Sequence, residues 1–221
     1  MSLVGLAKQY EAYETPRWAI EAVLKVELMS RNVLDPCAGT GAITAVVAEQ
    51  GYRVAALDIM DWSIAGVKMQ YGKIGAMDFL QDFHTDLSDV TVIMNPPFSL
   101  ACEFVDHARK LGARKIICFQ RQAWRESITR RDWWEAHPPA RVWVCGERAS
   151  CVRFDLLECP HTEDIKTCAN MLRNKVDKKD RAPRDGDGCQ HCMGTSPTAH
   201  AWYVWERGHR GVEMTSALYS T

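Results

Sequence analysis

The sequence predicts an α/β protein whose core is a doubly wound, mostly parallel sheet. Short apolar runs that suit buried strands alternate with helical periodicity over residues 32–119, which is the pattern of a parallel sheet covered by helices. Three of the predicted strands run directly into a polar side chain, at Asp35, Asp58 and Asn95. Because open α/β sheets bind ligands at the carboxyl ends of their strands, these positions mark the candidate site.

The length and composition fit one domain over residues 1–221. The chain has 221 residues, is 47% hydrophobic and 25% charged, and carries a net charge of −1, which is ordinary for a globular protein with a full core. No apolar run reaches membrane-spanning length, and the N-terminus lacks a basic-then-apolar signal. We therefore expect a cytoplasmic protein with no membrane partner, while the oligomeric state stays open.

The first helix of the predicted fold follows Thr15 and Pro16. Thr15 suits an N-cap and Pro16 suits the first helical turn, so a capped surface helix is the alternative to a functional role for this pair. The remaining elements follow from apolar runs and helical spacing. Strands are predicted at 32–34, 53–57, 74–76, 90–94, 115–119, 141–145 and 200–205, and helices at 42–50, 62–71 and 99–111.

A glycine-rich turn, residues 35–41, connects the first strand to the helix that follows it. Gly39 and Gly41 let the backbone approach a ligand closely, and the helix N-terminus offers free N–H groups. The dinucleotide pattern G-x-G-x-x-G is absent, because Thr44 stands where the third glycine would be. Asp35 at the strand end would repel a pyrophosphate, so the turn favours a cationic ligand, such as one carrying an amino group.

Two further strand ends carry an acidic residue beside an apolar one. Asp58 follows Asp35 at close to the roughly 20-residue spacing at which an acid binds ribose hydroxyls, and Ile59 beside it suits a flat ring. Asp78 and Phe79 together offer the acceptor and the stacking surface that an adenine ring needs. Each acid alone is more often a cap or turn residue, but three at successive strand ends favour a nucleoside-like ligand.

The tetrad Asn95-Pro96-Pro97-Phe98 ends the predicted strand 90–94. The side-chain oxygen of Asn95 and the backbone carbonyl of Pro96 can each accept an N–H hydrogen bond, and proline adds no donor of its own. An exposed Phe98 could stack on a base that has left its helix. The alternative is a rigid turn in which Asn95 caps the next helix.

A basic, tryptophan-containing stretch lies within residues 109–153, which hold 11 Lys and Arg against 4 Asp and Glu. A nearly neutral protein can still present such a stretch to a polyanion. A solvated face of arginines with tryptophans in the core is the alternative. The candidate nucleic-acid-binding residues are Arg121, Trp124, Arg125, Arg130 and Arg131.

A polar insertion, residues 159–198, separates the last two predicted strands and contains four of the nine cysteines. Cys189 and Cys192 have the spacing of a zinc knuckle, and two of Cys159, His161 and Cys168 could complete four ligands, the candidate set being Cys159, Cys168, Cys189 and Cys192. A segment with little apolar content is one that a structural zinc would stabilise. Unliganded thiols on a loop are the alternative.

These motifs together resemble the Rossmann-like S-adenosylmethionine-dependent methyltransferases, and within them the DNA methyltransferases that modify amino groups. Thr15-Pro16, the glycine turn, Asp58, Asp78-Phe79 and the tetrad occur in the order expected of such enzymes. The resemblance covers residues 13–145 and the final strand. The stretch 119–126 and the motifs at 131–134 and 138–139 are similar to small phage or prophage adenine methyltransferases.

The resemblance implies a class I methyltransferase sheet of seven strands whose last strand is antiparallel, S-adenosylmethionine as cofactor, and methylation of the N6 amine of a flipped adenine in DNA. It implies catalytic roles for Asn95, Pro96, Pro97 and Phe98. The implied cofactor-binding residues are Thr15, Pro16, Asp35, Pro36, Cys37, Ala38, Gly39, Gly41, Asp58, Ile59, Asp78, Phe79 and Asn95.

The sequence does not identify the methyl acceptor. No segment after residue 145 is large enough for the target-recognition domain of many DNA-modifying relatives, so the target sequence is not defined. Relatives that methylate RNA base amines or protein glutamine amides carry a similar motif. A non-catalytic nucleic-acid-binding module is the alternative from a different class.

Overall fold

The computed structural model describes residues 2–147, 149, 151–154, 157 and 198–220. Its helices are α1 (Leu3–Gln9), α2 (Arg17–Val26), α3 (Ala42–Glu49), α4 (Phe79–Asp82), α5 (Ala101–Lys110) and α6 (Arg131–Ala136). Its strands are β1 (Tyr13–Glu14), β2 (Asn32–Asp35), β3 (Arg53–Asp58), β4 (Ile74–Ala76), β5 (Val90–Met94), β6 (Lys115–Arg121), β7 (Arg141–Cys145), β8 (Val152–Arg153), β9 (His200–Glu206) and β10 (Met214–Leu218). Two 3₁₀ turns, Gln122–Arg125 and Ile128–Arg130, precede α6.

The main sheet confirms the predicted doubly wound architecture. Its strand order is β10-β7-β9-β6-β5-β2-β3-β4. The predicted final strand, β9, runs antiparallel to both of its neighbours, while the other pairs are parallel. The described sheet has eight strands rather than seven, because β10 adds to the edge beside β7. Four of the five β10 residues are exposed, so this strand lacks the buried apolar pattern by which the others were predicted.

The strand order places its switch point between β2 and β5. From β2 the chain continues to β3 and β4 on one side, whereas β5 and β6 lie on the other. Ligands bind at such a point because the loops that leave the two strands diverge and open a crevice. Asn32–Leu34 pair in register with Val90–Val92, so the glycine turn after β2 and the tetrad after β5 leave the sheet side by side.

Both faces of the sheet are covered, which explains why the central strands have continuous apolar runs. In β5, Val92 and Met94 pack on the side of α5 and α6, and Ile93 packs on the side of α2 and α3. This alternation follows from the two-residue period of a strand. Residues Val92, Ile93 and Met94 are completely buried, so β5 holds the tetrad on a rigid support.

The tryptophans of the stretch 120–140 lie mainly in the core. Trp124 is 4% exposed and contacts the rings of Trp133, Trp134 and Tyr203 at 4.7–5.6 Å between centroids. A ring buried in this cluster cannot stack on a nucleobase. The burial of Trp124 favours the alternative, a core tryptophan, and its contact with nucleic acid stays an untested prediction.

The helix predicted at 62–71 does not form. Gly66 adopts a left-handed φ of +80°, which interrupts a helix. The amides of Gln70 and Tyr71 donate instead to the carbonyl of Thr40, at 2.7 and 3.2 Å. Tertiary hydrogen bonds to the glycine turn thus replace helical ones.

No helix in the described part of the chain combines the length and the apolar content that a membrane span requires.

Candidate active site

A cavity opens at the carboxyl ends of β2, β3 and β5. Half of its lining was predicted from the sequence: Pro36, Cys37, Gly39, Asp58, Ile59, Asp78, Phe79, Asn95 and Pro97. The other half was not: Tyr10, Glu11, Ala12, Tyr13, Trp62, Leu80, Leu100, Phe104 and Phe154. The structure thus brings part of the glycine turn, two of the acidic strand ends and two residues of the tetrad to one cavity, whereas Asp35, Pro96 and Phe98 do not line it.

The glycine turn has a backbone that other residues would strain. Gly39 and Gly41 have φ angles of +56° and +85°, and Gly41 is the N-cap of α3. A Cβ on Gly39 would lie 2.4 Å from Cζ of Phe154, and one on Gly41 would lie 2.5 Å from Cβ of Tyr71. Both glycines are therefore required by conformation and by close approach.

We expect Gly41→Ala to lower the free energy of unfolding by about 1–3 kcal/mol more than Gly51→Ala. Both alanines would carry the cost of a left-handed backbone, roughly 1–2 kcal/mol, since Gly51 has a φ of +86°. A Cβ on Gly51 would meet no described atom within 4 Å, whereas one on Gly41 would also lie 3.0 Å from the backbone nitrogen of Tyr71, and such overpacking costs about 1–3 kcal/mol. Urea unfolding of the two variants measures the difference, and equal losses would contradict the close-approach argument.

Asp58 holds the glycine turn from the end of β3. Its Oδ2 accepts from the amide of Gly39 at 2.8 Å, and its Oδ1 accepts from the amide of Met60 at 2.9 Å and from Trp62 Nε1 at 3.1 Å. Burial raises the pKa of Asp58, and these three hydrogen bonds oppose the shift. A carboxylate has about four acceptor positions, so capacity for one ligand hydroxyl remains on Oδ2.

Asp35 lies beneath the turn and does not line the cavity. It is fully buried, and its Oδ2 accepts from Thr44 Oγ1 at 2.8 Å. Burial raises the pKa of Asp35 to about 7, against hydrogen bonds from Thr44 and the Cys37 amide. Thr44 stands where the third glycine of the dinucleotide pattern would be, and its hydrogen bond to Asp35 links α3 to the end of β2. A direct contact between Asp35 and a cationic ligand stays a prediction.

Asp78 and Phe79 both line the cavity and also have structural roles, while their predicted contact with adenine stays a prediction. Asp78 is the N-cap of α4 and accepts from the amide of Leu80 at 2.9 Å. Phe79 is 2% exposed and stacks on Phe104 at 5.5 Å between centroids, so its ring belongs mainly to the core. Ile59 is 52% exposed and offers the accessible apolar surface on this side of the cavity.

The Asn95 side chain has one defined orientation. Its Nδ2 donates to the carbonyl of Tyr13 at 3.2 Å and to Thr15 Oγ1 at 2.9 Å. A backbone carbonyl only accepts hydrogen bonds, so the amide nitrogen, not the oxygen, must face Tyr13. Oδ1 is consequently the atom available to a ligand in the cavity that Asn95 lines.

Thr15 acts differently from the sequence expectation. Pro16 occupies the N-cap of α2, and that position makes no side-chain cap hydrogen bond. Thr15 is 3% exposed, and its hydroxyl accepts from Asn95 instead. The prediction of a Thr15 N-cap is therefore wrong, because tertiary contact with the tetrad takes the hydroxyl. Neither Thr15 nor Pro16 lines the cavity, so their predicted contact with a cofactor stays a prediction.

Gln120 supports the tetrad from the neighbouring strand β6. Its Nε2 donates to the carbonyl of Pro96 at 3.1 Å, and the side chain is 1% exposed. A carbonyl oxygen has two lone pairs, so Gln120 leaves one unused. Pro96 is buried and does not line the cavity, so contact between its carbonyl and a ligand stays a prediction. The buried hydrogen bond from Gln120 fixes the direction of the carbonyl and was not predicted from the sequence.

The last residue of the tetrad, Phe98, lies beside the cavity and is half-buried. The guanidinium carbon of Arg121 sits 3.8 Å from its ring centroid. The ring of Tyr13 also lies against Phe98, with the ring centroids 5.6 Å apart and the ring planes inclined by 36°.

The remaining predicted nucleic-acid-binding arginines have partners within the protein. Arg125 pairs with Glu213 at 2.7 Å, and Arg131 approaches Asp132 and Glu135 at 3.3 and 3.5 Å. Arg130 donates to the carbonyl of Trp124 at 2.9 Å. The ion pairs of Arg125 and Arg131 lower the net charge that the stretch can offer to a polyanion, whereas the carbonyl contact of Arg130 leaves its charge in place.

Cys37 is the thiol in the cavity lining. Burial raises the pKa of Cys37 well above its ordinary value, and the carboxylates of Asp35 and Asp58 add to this shift. The thiol therefore stays protonated at neutral pH, and a thiolate is the form that acts as a nucleophile. The cavity is not arranged for cysteine catalysis.

The four predicted zinc ligands, Cys159, Cys168, Cys189 and Cys192, all lie outside the described residues. Within the described ranges, no group of three or more His, Cys, Asp or Glu side chains is placed to hold a metal ion. Zinc binding by the insertion stays a prediction.

Part of the cavity wall comes from segments without a sequence signal. Glu11 has a φ of +47°, and its Oε2 accepts from the amide and the hydroxyl of Ser99 at 2.9 and 2.6 Å. These bonds attach the N-terminal segment to the residue after the tetrad. Phe154 follows β8, which pairs with β1, and packs on Trp62 at 4.8 Å between centroids.

The described fold resembles solved methyltransferase structures. A candidate class I S-adenosylmethionine-dependent methyltransferase from Listeria monocytogenes aligns with a TM-score of 0.50 at 12% identity, over 91% of this chain and 62% of that chain. A candidate RNA methyltransferase from Pyrococcus horikoshii gives 0.49 at 12% identity, over 92% and 96%. The methyltransferase subunit of a type I restriction-modification system from Streptococcus thermophilus gives 0.48 at 9% identity, over 93% and 48%.

This chain thus spans less than two thirds of the length of the Listeria protein. No protein-family profile and no curated protein matches its sequence. Identities this low are evidence for the fold alone. The strand order and the match to the Listeria structure show that the chain has the Rossmann-like class I methyltransferase fold.

Proposed function

We propose that the chain is an S-adenosylmethionine-dependent methyltransferase that methylates the exocyclic N6 amine of adenine in DNA. The observation that carries this proposal is the orientation of Asn95. Its Nδ2 is held by Tyr13 and Thr15, so its Oδ1 is left to accept an N–H in a cavity that also holds the glycine turn.

The cavity fits S-adenosylmethionine in three respects. Gly39, without a Cβ, contributes backbone to the cavity lining and leaves room for the ring of Phe154 that packs against it. Asp58 retains acceptor capacity for a ribose hydroxyl, and the exposed Ile59 next to it can lie against adenine. Asp35 lies behind the turn and is partly ionised at neutral pH, because burial raises its pKa to about 7, and a cationic amino group nearby would favour its charged form. When bound, this cofactor supplies a methyl group already activated by the sulfonium charge.

The tetrad would prepare the amine for attack. The lone pair of an exocyclic adenine amine is delocalised into the ring, which makes the nitrogen a poor nucleophile. Asn95 Oδ1 and the free lone pair of the Pro96 carbonyl can accept its two N–H groups. These bonds hold the nitrogen toward tetrahedral geometry and stabilise the positive charge that develops on it. Gln120 keeps the Pro96 carbonyl in place during this step.

A nucleic-acid base is favoured over a protein glutamine by the surroundings of the tetrad. Phe98, half-buried and next in the chain to the cavity-lining Pro97, offers a stacking surface for a flipped base. Arg121 places a positive charge directly beside that surface, which suits a substrate with a phosphate backbone. A glutamine side chain would use neither feature.

The proposal is tested by offering cofactor labelled in its methyl group together with duplex DNA, RNA or lysate protein. We expect label in DNA, recovered as N6-methyladenine after digestion to nucleosides. Label in RNA or in protein glutamine would replace the proposed acceptor, and no label in any acceptor would contradict the enzymatic assignment. The variant Asn95→Ala, assayed in parallel, controls for contaminating methyltransferases.

Asp58→Asn is expected to weaken binding of S-adenosylhomocysteine by about 10-fold or more. The substitution replaces one acceptor oxygen by a donor beside the amides that now bind Asp58, so it removes a ribose acceptor and disturbs the turn. The loss of a charged hydrogen bond corresponds to about 1.5–3 kcal/mol. Isothermal titration calorimetry measures the affinity.

Asp61→Asn is the matched control for this variant. Asp61 is an exposed neighbour whose Oδ1 accepts from the amide and the hydroxyl of Ser63, at 3.0 and 2.5 Å, and it does not line the cavity. We expect its affinity to stay at the wild-type value. An unchanged affinity in Asp58→Asn would contradict the assignment of the ribose site.

A further inference from the structure

Arg121 stands at the end of β6 with its guanidinium on the ring of Phe98. The guanidinium carbon lies 3.8 Å from the ring centroid, which is van der Waals contact. Such a contact attracts a cation to an aromatic face. It also covers part of the surface on which a flipped base would stack.

The charge of Arg121 is not balanced inside the described part of the protein. No described carboxylate lies within 4.0 Å of its guanidinium, whereas Arg17, Arg125 and Arg141 each have a carboxylate partner. Two titratable groups near it, His200 and Cys151, carry no negative charge at neutral pH. Burial and then the charge of Arg121 lower the pKa of His200 to about 4, and burial raises the pKa of Cys151 to about 12.

The ring of Phe98 is flanked by two groups, the guanidinium of Arg121 and the ring of Tyr13. A base that enters must displace one of them. The backbones of both residues pair in strands, Tyr13 with Arg153 and Arg121 with His200, so the side chains decide which group moves. The ring of Tyr13 turns about only two side-chain bonds. The long arginine side chain can move by rotation about its own bonds.

We propose that Arg121 is the ligand for a backbone phosphate of the substrate strand, and that its guanidinium leaves Phe98 as the target base stacks there. This inference rests on the proposed function. The base replaces the guanidinium on the aromatic ring, and a phosphate next to the flipped nucleotide replaces the ring as partner of the guanidinium. Arginine suits both states, since its planar group stacks on rings and binds phosphate oxygens in pairs.

The test uses single-stranded oligodeoxyadenylate, in which every nucleotide is a potential target and no base pair has to open. The dissociation constant of the full-length protein with S-adenosylhomocysteine is measured at several salt concentrations by fluorescence anisotropy. A phosphate contact contributes about 0.7 to the slope of log Kd against log salt on a single strand. We expect Arg121→Gln to reduce the slope by about this amount and to weaken binding roughly 3- to 10-fold at low salt.

Two further variants make the result specific. Arg121→Lys retains the positive charge and is expected to keep the wild-type slope. Arg53→Gln removes an exposed arginine at the amino end of β3, away from the cavity. This variant is also expected to keep the wild-type slope. Thermal melting and S-adenosylhomocysteine affinity of Arg121→Gln show that fold and cofactor site are intact.

The outcomes separate this inference from the proposed function. If the wild type binds and methylates DNA but Arg121→Gln keeps the wild-type slope, the phosphate role is wrong and the proposed function stands. If Arg121→Lys loses the slope as well, charge is not the cause, and the inference is again overturned. A wild type that neither binds nor labels any nucleic acid overturns both.

Discussion

Asn95→Ala is expected to lower the rate of methyl transfer by about 10²–10³-fold, while the protein still binds S-adenosylhomocysteine. The magnitude is that of removing one preorganised hydrogen-bonding group from a site where charge develops. The reason for the specific loss is the direction of the side chain. Tyr13 and Thr15 hold its nitrogen, at 3.2 and 2.9 Å, so the oxygen alone can serve the amine.

Single-turnover transfer of labelled methyl to DNA measures the rate, and calorimetry measures the cofactor affinity. Asn32→Ala is the matched control, since Asn32 is exposed at the amino end of β2, at the opposite edge of the sheet. We expect that control to keep the wild-type rate. Transfer by Asn95→Ala at more than a tenth of the wild-type rate would exclude Asn95 from catalysis.

The central strands and the polar residues at their carboxyl ends could be predicted, because apolar runs in the sequence and one rule of sheet topology agree. The apolar runs of β2, β3 and β5 end at Asp35, Asp58 and Asn95, as the sequence indicated. In a parallel sheet all carboxyl ends lie at one edge. Sequence order alone therefore places these three residues at the same edge.

The part of the cavity wall that Tyr13 and Phe154 form could not be predicted, because contacts between segments distant in sequence create it. Strand β1 exists only through its pairing with β8, from Tyr13 to Arg153 and from Glu14 to Val152. A two-residue strand carries no periodicity that a sequence pattern can reveal. Phe154 over Gly39 follows from the same pairing.

The roles of individual side chains were the least predictable feature. The sequences around Thr15 and Asp78 both favour a helix cap. Asp78 does cap α4, whereas the hydroxyl of Thr15 accepts a hydrogen bond from Asn95 instead. Composition likewise could not separate core from surface for Trp124, since tryptophan is common in cores and in nucleic-acid sites alike. Burial, which decides these roles, depends on the whole fold.

Glu27 forms a buried ionic cluster that was not predicted at all, at the end of the sheet opposite the cavity. It is 2% exposed and ends α2. Its Oε2 accepts from Lys115 Nζ at 2.8 Å and from Arg141 at 3.0 Å, and its Oε1 accepts from Trp143 Nε1 at 2.8 Å. Lys115 begins β6, whereas Arg141 begins β7 and Trp143 lies within it. One carboxylate thus joins α2 to two strands that are distant from it in sequence.

We expect Glu27→Gln to lower the free energy of unfolding by about 3 kcal/mol at pH 7, because Lys115 and Arg141 lose their buried counter-charge and keep only the partly exposed Glu206 as a partner. That is a large part of the roughly 5–15 kcal/mol that stabilises a domain. Urea unfolding measures the loss. Glu21→Gln on the same helix is the matched control, since Glu21 pairs with an exposed Arg17, and we expect its unfolding curve to match the wild type.

The same cluster makes stability depend on pH in a defined direction. Burial alone would raise the pKa of Glu27, but the hydrogen bonds from Arg141, Lys115 and Trp143 outweigh it and lower the pKa below its ordinary 4.5. A carboxyl whose pKa is lower in the folded state contributes stability above its unfolded pKa and loses it as the pH falls through the folded pKa. The difference between wild type and Glu27→Gln should therefore be constant above about pH 5.5 and shrink below 4.5. A difference that stays constant down to about pH 3 would show that Glu27 does not titrate as proposed, and one that grows on acidification would reverse the assigned sign of its pKa shift.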